Sequence, residues 1–519
     1  MHPAAAEVTG AATVWLREAF DESALPVLAA EVAELVGPGG LLTLSGGLGA
    51  GKTAFARALI RLLAAEPNLA VPSPAFTLIQ IYEGVDFPIV HADFYRIGKP
   101  SEIAALGFEE ACEGALVIVE WPENAGEFLG PDRLDIELRL DQERGPGYRS
   151  IILKGTGPYA DRLARAKALY EILDRSGWKD AERKVIKGDA STRSYERLTK
   201  PGGKTAILMN FPARPDGPPI RYGKSYSAIA KLAEDIRPFA AIAQGLRAQG
   251  LSAPEIYAAD LEAGLAIIED FGRETIASDG GIIEERYAAA VEALAHLHGA
   301  DLPDALPVDG ETYRIPHYDA DALLIEAELV LDWYAPHIAH ARLASSAKAA
   351  FVNLWRQAVQ DVLIARPVWV LRDYHSPNLL WLAERKGIAR IGILDFQDCL
   401  LGHPAYDVAS LLQDARVDVP EEAELRLLAA YAQLRRSADP NFDVASFVRA
   451  YAVLGAQRAT KILGIFARLK ERDGRPDYVA NLPRVENYLA KNLRHPALDG
   501  LKRWYEEHLP NIFGAASAF

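Results

Sequence analysis

Cysteine is nearly missing: the 519 residues hold two, Cys112 and Cys399. A disulfide framework and a cysteine-rich metal site are thereby excluded, and the apolar neighbourhood of each cysteine predicts a core position. No run approaches the roughly 18 uncharged apolar residues that a membrane span needs, and "MHPAAAEVTGAATVWL" at the N-terminus has no basic segment ahead of an apolar one. Neither membrane spanning nor export is expected, and the cytoplasm is the default location. A Lys/Arg-rich run is missing too. The 56 Lys+Arg stand against 71 Asp+Glu, and residues 1–160 are the most lopsided, with 11 basic against 22 acidic. Such a chain lacks the electrostatic footprint for gripping a phosphate backbone, so any role in RNA metabolism is expected to pass through partners, touching tRNA only indirectly. Low-complexity tracts and fixed-period repeats are also absent.

What is present suits packed domains: half the residues are apolar and 24% are charged, over a length that allows two to four domains. Turn-formers concentrate between Gln142 and Tyr159, in "QERGPGYRSIILKGTGPY", around one short strand-like run. The expected division is therefore 1–155 and 160–519. A helix follows, with Leu163, Ala166, Tyr170 and Leu173 on one apolar face until "RSGW" stops it.

Leu41 to Ser45 reads as an apolar strand running into "GGLGAGKT" and then the helical "AFARALIRLLAA". Strand, glycine loop and helix together make a phosphate cradle. Gly46, Gly49 and Gly51 let main-chain N–H groups turn toward phosphates, Lys52 reaches the β/γ oxygens of ATP, and Thr53 is placed to ligate Mg2+. Asp93 and Glu120 close two further apolar runs, Ile89–Val90 and Leu116 to Val119. Carboxylates at the carboxyl ends of parallel strands face the ligand crevice, where a metal and an attacking water need them.

The order "LGAGKT", "SPAFTL", "HADFYR", "VEWPE" across residues 15–155 resembles the TsaE family, the ATPase subunit of bacterial tRNA threonylcarbamoyladenosine modification. The resemblance implies an α/β P-loop NTPase that cycles with the other subunits of the tRNA threonylcarbamoyltransferase complex. It assigns nucleotide and Mg2+ to Lys52 and Thr53, metal assistance to Asp93, hydrolysis to Glu120, and a switch-like loop to Ser73 and Thr77. Ala75 departs from the family's usual threonine.

Beyond residue 160 the pattern changes. "VIKGDASTRSYERLTKPGGKTAILMN" predicts three strands with a small-residue turn over Gly188–Ser191, a hairpin or a lid over phosphates. A helical stretch from Ser225 to Arg247 carries Pro238, which should bend or split it. "GLAIIEDFG", residues 264–272, reads as a strand ending at a hinge between a small lobe (about 180–270) and a helical lobe (about 271–519). Gly188, Ser191, Glu269 and Phe271 are candidate nucleotide contacts. "WVLRDYHSPNLLWL" reads as strand, polar turn, strand, with Asp373 and Asn378 in the turn and Asp395 ending the next apolar strand. A kinase must orient a hydroxyl, take its proton and hold Mg2+ against ATP, and Asp373 suits the base while Asn378 and Asp395 suit the metal. His375 is expected to hydrogen-bond the loop, and Asp407 to cap a helix or anchor a loop.

These segments, with "QRATKILGIFARL" (457–469), resemble the aminoglycoside phosphotransferase superfamily, and more narrowly the AmgK-type kinases of N-acetylmuramate and N-acetylglucosamine. The resemblance implies a bilobal α+β protein-kinase-like domain that phosphorylates the anomeric hydroxyl of an amino sugar during cell-wall recycling. Leu371 replaces the family's common histidine. The strand "TAILMN" has no lysine, leaving Arg193, Arg197 or Lys204 as substitutes. A regulatory module without phosphotransfer, or a kinase for another small alcohol such as an aminoglycoside or choline, are the alternatives, with residues 301–345 expected to shape the acceptor site.

Overall fold

The computed structural model describes residues 12–20, 22–141, 143, 145, 147–186, 193–214, 216–278 and 281–514. They fall into two compact units, Met1–Lys179 and Asp180–Phe519.

The first unit is built on a seven-stranded sheet. In chain order its elements are β1 (Thr13–Phe20), α1 (Leu25–Ala33), β2 (Leu41–Ser45), α2 (Lys52–Leu63), β3 (Ile79–Tyr82), β4 (Ile89–Asp93), β5 (Leu116–Glu120), β6 (Leu134–Leu140), β7 (Arg149–Gly155) and α3 (Pro158–Arg175). The strand order is β1-β7-β6-β2-β5-β4-β3, with β6, β2, β5 and β4 mutually parallel and the β1–β7, β7–β6 and β4–β3 pairings at the flanks antiparallel. β4 and β5 are buried along their whole length, as continuous apolar runs in a parallel sheet should be. Helix α2 buries Phe55, Ala56, Leu59 and Ile60, one face at three- and four-residue spacing.

The division between units does not fall at 155–160. The run Ser150–Lys154 is the core of β7, paired on both sides within the first sheet. Helix α3 sends Tyr159, Leu163, Ala166 and Tyr170 into the same core, where Tyr170 meets Trp15 at 5.4 Å between ring centroids and the Arg17 guanidinium at 3.7 Å. An amphipathic helix belongs to whichever core receives its apolar face, so α3 closes the first unit.

The second unit opens with an antiparallel sheet of β8 (Glu182–Ile186), β9 (Ser194–Thr199), β10 (Thr205–Asn210), β11 (Ile256–Asp260) and β12 (Leu265–Ile268), in the order β11-β12-β10-β9-β8. The three strands and the hinge strand read from the sequence are all present, while Gly188 and Ser191 lie outside the described residues. The stretch from Ser225 is split, as Pro238 demands: a short helix, Tyr226–Ala230, ends at a left-handed Lys231 (φ 56°), and α4 (Arg237–Ala248) starts with Pro238 in its first turn, where the missing N–H costs nothing.

The helical part includes α5 (Glu284–Gly299), α6 (Ala320–Leu329), α7 (Ser345–Leu363), α8 (Ala405–Leu412) and the 28-residue α9 (Val444–Glu471). Between α7 and α9 lie four short strands: β13 (Val368–Val370) pairs with β16 (Leu400–Gly402), and β14 (Leu379–Trp381) with β15 (Ile391–Ile393). Loop 371–378 joins β13 to β14 and loop 394–399 joins β15 to β16, so both loops run between the same two strand pairs. Among the described residues no helix is long and apolar enough to cross a membrane, and Cys399 is buried and Cys112 partly so.

Candidate functional site

In the first unit the glycine loop joins β2 to α2 with Gly46, Gly49 and Gly51 at φ 127°, 77° and 107°. A Cβ on Gly46 would stand 2.2 Å from the Leu138 carbonyl, so only glycine fits there. The parallel register sets Asp93 directly against Glu120. Thr53 Oγ1 donates to Glu120 Oε2 at 3.0 Å, and the other oxygen of Glu120 meets His91 Nε2 at 2.9 Å, with Glu120 and His91 both buried. Ser73 donates to Asp93 at 2.8 Å; Thr77 lies exposed on the same segment.

Lys52 Nζ donates to the Gly46 and Gly47 carbonyls at 2.7 and 3.0 Å and sits 3.6 Å from the centre of the Trp121 ring. Burial lowers its pKa, against the opposing pull of Glu120, Glu123 and Asp93. Trp121, with φ 59°, and Arg149, whose Nε donates to the Ala50 carbonyl at 2.9 Å, are loop-supporting residues that sequence reading did not single out. Only Trp121 had a signal, as the aromatic next to the Glu120 carboxylate. The hydroxyl of Thr53 and the carboxylates of Asp93 and Glu120 form a hard oxygen set of the kind Mg2+ accepts together with phosphates.

In the second unit Asp373, Asn378 and Asp395 converge. Asn378 Nδ2 donates to the Asp373 carbonyl at 3.0 Å and stands 3.4 Å from Asp395 Oδ2. Asp395 Oδ1 forms an ion pair with Arg193 at 2.8 Å and accepts from Gln397 Nε2 at 3.0 Å. Arg372 and Asp395 both have positive φ, 67° and 57°. Non-glycine residues adopt that conformation at a cost of roughly 1–2 kcal/mol each, and such strain concentrates where function fixes the backbone. The Asn378 amide and Asp395 carboxylate supply oxygens suited to Mg2+.

Behind the loop, Asp407 in the first turn of α8 accepts the main-chain N–H of Leu371 and Arg372, the loop-anchor role expected for it. The buried Arg372 guanidinium donates to the Ala230 carbonyl at 3.1 Å and pairs with Glu326 of α6. Glu326 also holds Lys461 of α9 at 2.9 Å. Burial opposes ionisation of Glu326, yet Lys461 and Arg372 hold its carboxyl below the usual range. Asp373 follows the same logic: burial raises it, but Lys461, Arg458 and Arg372 outweigh burial and keep it low. His375 is pushed down to about 4 by burial and by Arg416. It is neutral at pH 7, and its Nε2 accepts from Arg416 at 3.2 Å.

Two cavities meet here. One of about 470 Å³ lies against the β8–β12 sheet and is lined by Tyr195, Arg197, Ile268, Glu269 and Phe271. The other, about 420 Å³, is lined by Asp373, His375, Arg416, Arg458, Lys461 and Phe466. Arg193, Asn378 and Asp395 line both. Arg193 is thus placed at the junction, whereas Arg197 is paired with Asp270 at 2.7 and 3.0 Å and Lys204 lies by Tyr257, 5.5 Å from its ring centre.

Residues 301–345 do not line the cavity beside Asp373. Their His317, Tyr318 and Asp319 border a different one, about 430 Å³, with residues 362–367. The cavity wall comes instead from α9, through Arg458, Lys461, Ile462 and Ile465 at helical spacing. Cations at 458, 461 and 468 within the apolar run of "QRATKILGIFARL" were the available signal.

The family model described as threonylcarbamoyl adenosine biosynthesis protein TsaE matches residues 20–150, and that described as phosphotransferase enzyme family matches residues 182–441. The chain is 40% identical over 358 residues to an N-acetylmuramate/N-acetylglucosamine kinase of Caulobacter vibrioides, covering 67% of this chain and 97% of the relative. A kinase of the same description from Pseudomonas aeruginosa is 33% identical over 330 residues, covering 62% and 87%. A tRNA threonylcarbamoyladenosine biosynthesis protein TsaE of Rickettsia felis is 39% identical over 158 residues, covering 30% and 92%.

Proposed function

We propose a function from the premise that this chain belongs to two families, TsaE in its first part and the phosphotransferases, among the N-acetylmuramate/N-acetylglucosamine kinases, in its second, and is a fusion of the two. The first unit hydrolyses ATP as a subunit of the tRNA threonylcarbamoyltransferase complex. Lys52 and the N–H groups around Gly46, Gly49 and Gly51 hold the phosphates, Thr53 and Asp93 serve the metal, and Glu120, oriented by His91, aligns the attacking water. The second unit transfers phosphate from ATP to the anomeric hydroxyl of an amino sugar in cytoplasmic cell-wall recycling. ATP occupies the cavity of Glu269 and Phe271, and the sugar occupies the cavity of Asp373.

The observation that carries the kinase reading is the junction of those cavities at Arg193, Asn378 and Asp395, with Asp373 facing the acceptor side. Asn378 and Asp395 would hold Mg2+, whose charge would offset that of the phosphates. Asp373 orients the hydroxyl and accepts its proton. An anomeric hydroxyl is more acidic than an ordinary alcohol, so a carboxylate whose pKa is held low still suffices. The acceptor cavity is rich in cations, Arg416, Arg458 and Lys461, which disfavours a polycationic aminoglycoside or choline. The two units use water in opposite ways: hydrolysis needs one, phosphotransfer to a bound hydroxyl must exclude it.

A sugar panel tests the kinase reading. The full chain with ATP, Mg2+ and N-acetylmuramate, N-acetylglucosamine, kanamycin or choline should yield 1-phosphosugars from the first two alone, detected by mass spectrometry, and none with Asp373→Ala. Absence of any phosphosugar refutes it.

A further inference from the structure

Arg458 lines the acceptor cavity from α9 and is only 6% exposed. Its guanidinium makes no hydrogen bond or ion pair with any described residue. Of the other cations that line this cavity, Lys461 is held by Glu326, Arg193 by Asp395 and Arg416 by His375, while Arg468 lies over the Tyr226 ring, 5.6 Å from its centre. A guanidinium stays charged at any physiological pH, and burying it without a counter-charge is strongly unfavourable. Asp373 feels its charge without bonding it. Arg458 is therefore a buried cation with no bonded counter-charge among the described residues.

We propose that Arg458, assisted by Arg416, forms a carboxylate subsite, and that the chain consequently prefers an amino sugar with an anionic substituent, N-acetylmuramate, over its neutral counterpart N-acetylglucosamine. The inference rests on the amino-sugar kinase reading and adds to it the residue that sets the preference. The planar fork of arginine matches a carboxylate through two parallel N–H bonds. Ile462 and Ile465, four and seven residues on along the same helix face, supply apolar wall beside it for the carbon frame of the substituent.

The competing role is contact with the phosphoryl group in transfer. That role is blind to the acceptor's substituent, so the two separate experimentally. Phosphosugar formation by the full chain is measured for N-acetylmuramate, its neutral lactyl amide and N-acetylglucosamine. The expected kcat/KM favours the acid over the amide by about 10- to 100-fold, the range for a charge-assisted hydrogen bond. Arg458→Gln should erase that ratio, chiefly through KM, and Arg458→Lys should keep part of it. Equal use of acid and amide by the unaltered chain overturns the proposal, as does an Arg458→Gln variant that is slower on all three sugars with the ratio intact. If Arg458→Gln does not fold, the acid-to-amide ratio of the unaltered chain and its response to Arg416→Gln decide. If none of the three sugars is phosphorylated, the kinase reading fails, and calorimetric titration reads the subsite separately: tighter binding of acid than amide upholds it, equal or absent binding overturns it.

Discussion

The main-chain N–H of Leu371 donates to Oδ2 of Asp407 at 2.7 Å, and the next N–H, of Arg372, donates to Oδ1 at 2.8 Å. A single buried carboxylate on α8 thus clamps the start of the 371–378 loop through its backbone. Leu371 stands where related kinases commonly carry histidine, and here the main chain supplies the fixing that the side chain cannot. Truncating Asp407→Ala leaves two buried N–H groups unsatisfied at about 1–3 kcal/mol each. Denaturant unfolding should show about 2–6 kcal/mol lost, with kinase turnover falling as well; an unchanged midpoint would remove Asp407 from this role.

Glu326 is the common counter-ion of Arg372 and Lys461. Glu326→Gln strands two buried cations, and breaking a buried pair in this way costs about 3–5 kcal/mol. Because the folded carboxyl is held below its ordinary value of 4.5, the stability it contributes is present above that pH and disappears as pH falls through the lower folded value. Acid unfolding of the unaltered chain should therefore be steeper below pH 4.5 than that of Glu326→Gln. Parallel acid curves would contradict the assignment.

His375 and His403 are each pushed down to about 4, first by burial. In the unfolded chain they bind protons below about pH 6.5, so stability should fall from pH 6.5 toward 4, by on the order of 1 kcal/mol per pH unit for each histidine. Urea midpoints across that window measure it. His403→Gln should flatten the slope; an unaltered slope would mean that the ring is not kept neutral by the fold.

Arg193 bonds Asp395 at the junction of the cavities, while Lys204 lies away from it by Tyr257. Arg193→Ala should raise the KM for ATP in sugar phosphorylation about tenfold, the worth of a charge-assisted hydrogen bond, and Lys204→Ala should leave it unchanged. The reverse pattern would relocate the phosphate contact.

Local pattern carried most of the reading. The strand, glycine loop and helix around Lys52 are contiguous in sequence, and Asp373, Asn378 and Asp395 fall within 23 residues, so both constellations were legible. The split at Pro238 followed from its missing N–H. What escaped depends on distant partners. The apolar face of α3 announced a helix but not which core receives it, since Tyr170 meets Trp15 from the far end of the first unit. Loop-rich stretches often carry specificity, which points to residues 301–345 for the acceptor wall, whereas α9 presents Arg458 and Lys461 from a helix that reads as core. Glu326, although within 301–345, acts from behind that wall as the anchor of Lys461 and Arg372.

Two independent ATP sites are the centre of this account, and nucleotide stoichiometry tests them most directly. Calorimetric titration of the full chain with a non-hydrolysable ATP analogue and Mg2+ should saturate at two per chain, falling to one in Lys52→Ala and to one in Asp395→Ala, with Lys52→Ala still phosphorylating sugar. Saturation at one nucleotide in the unaltered chain, or loss of both sites in either folded variant, would contradict it.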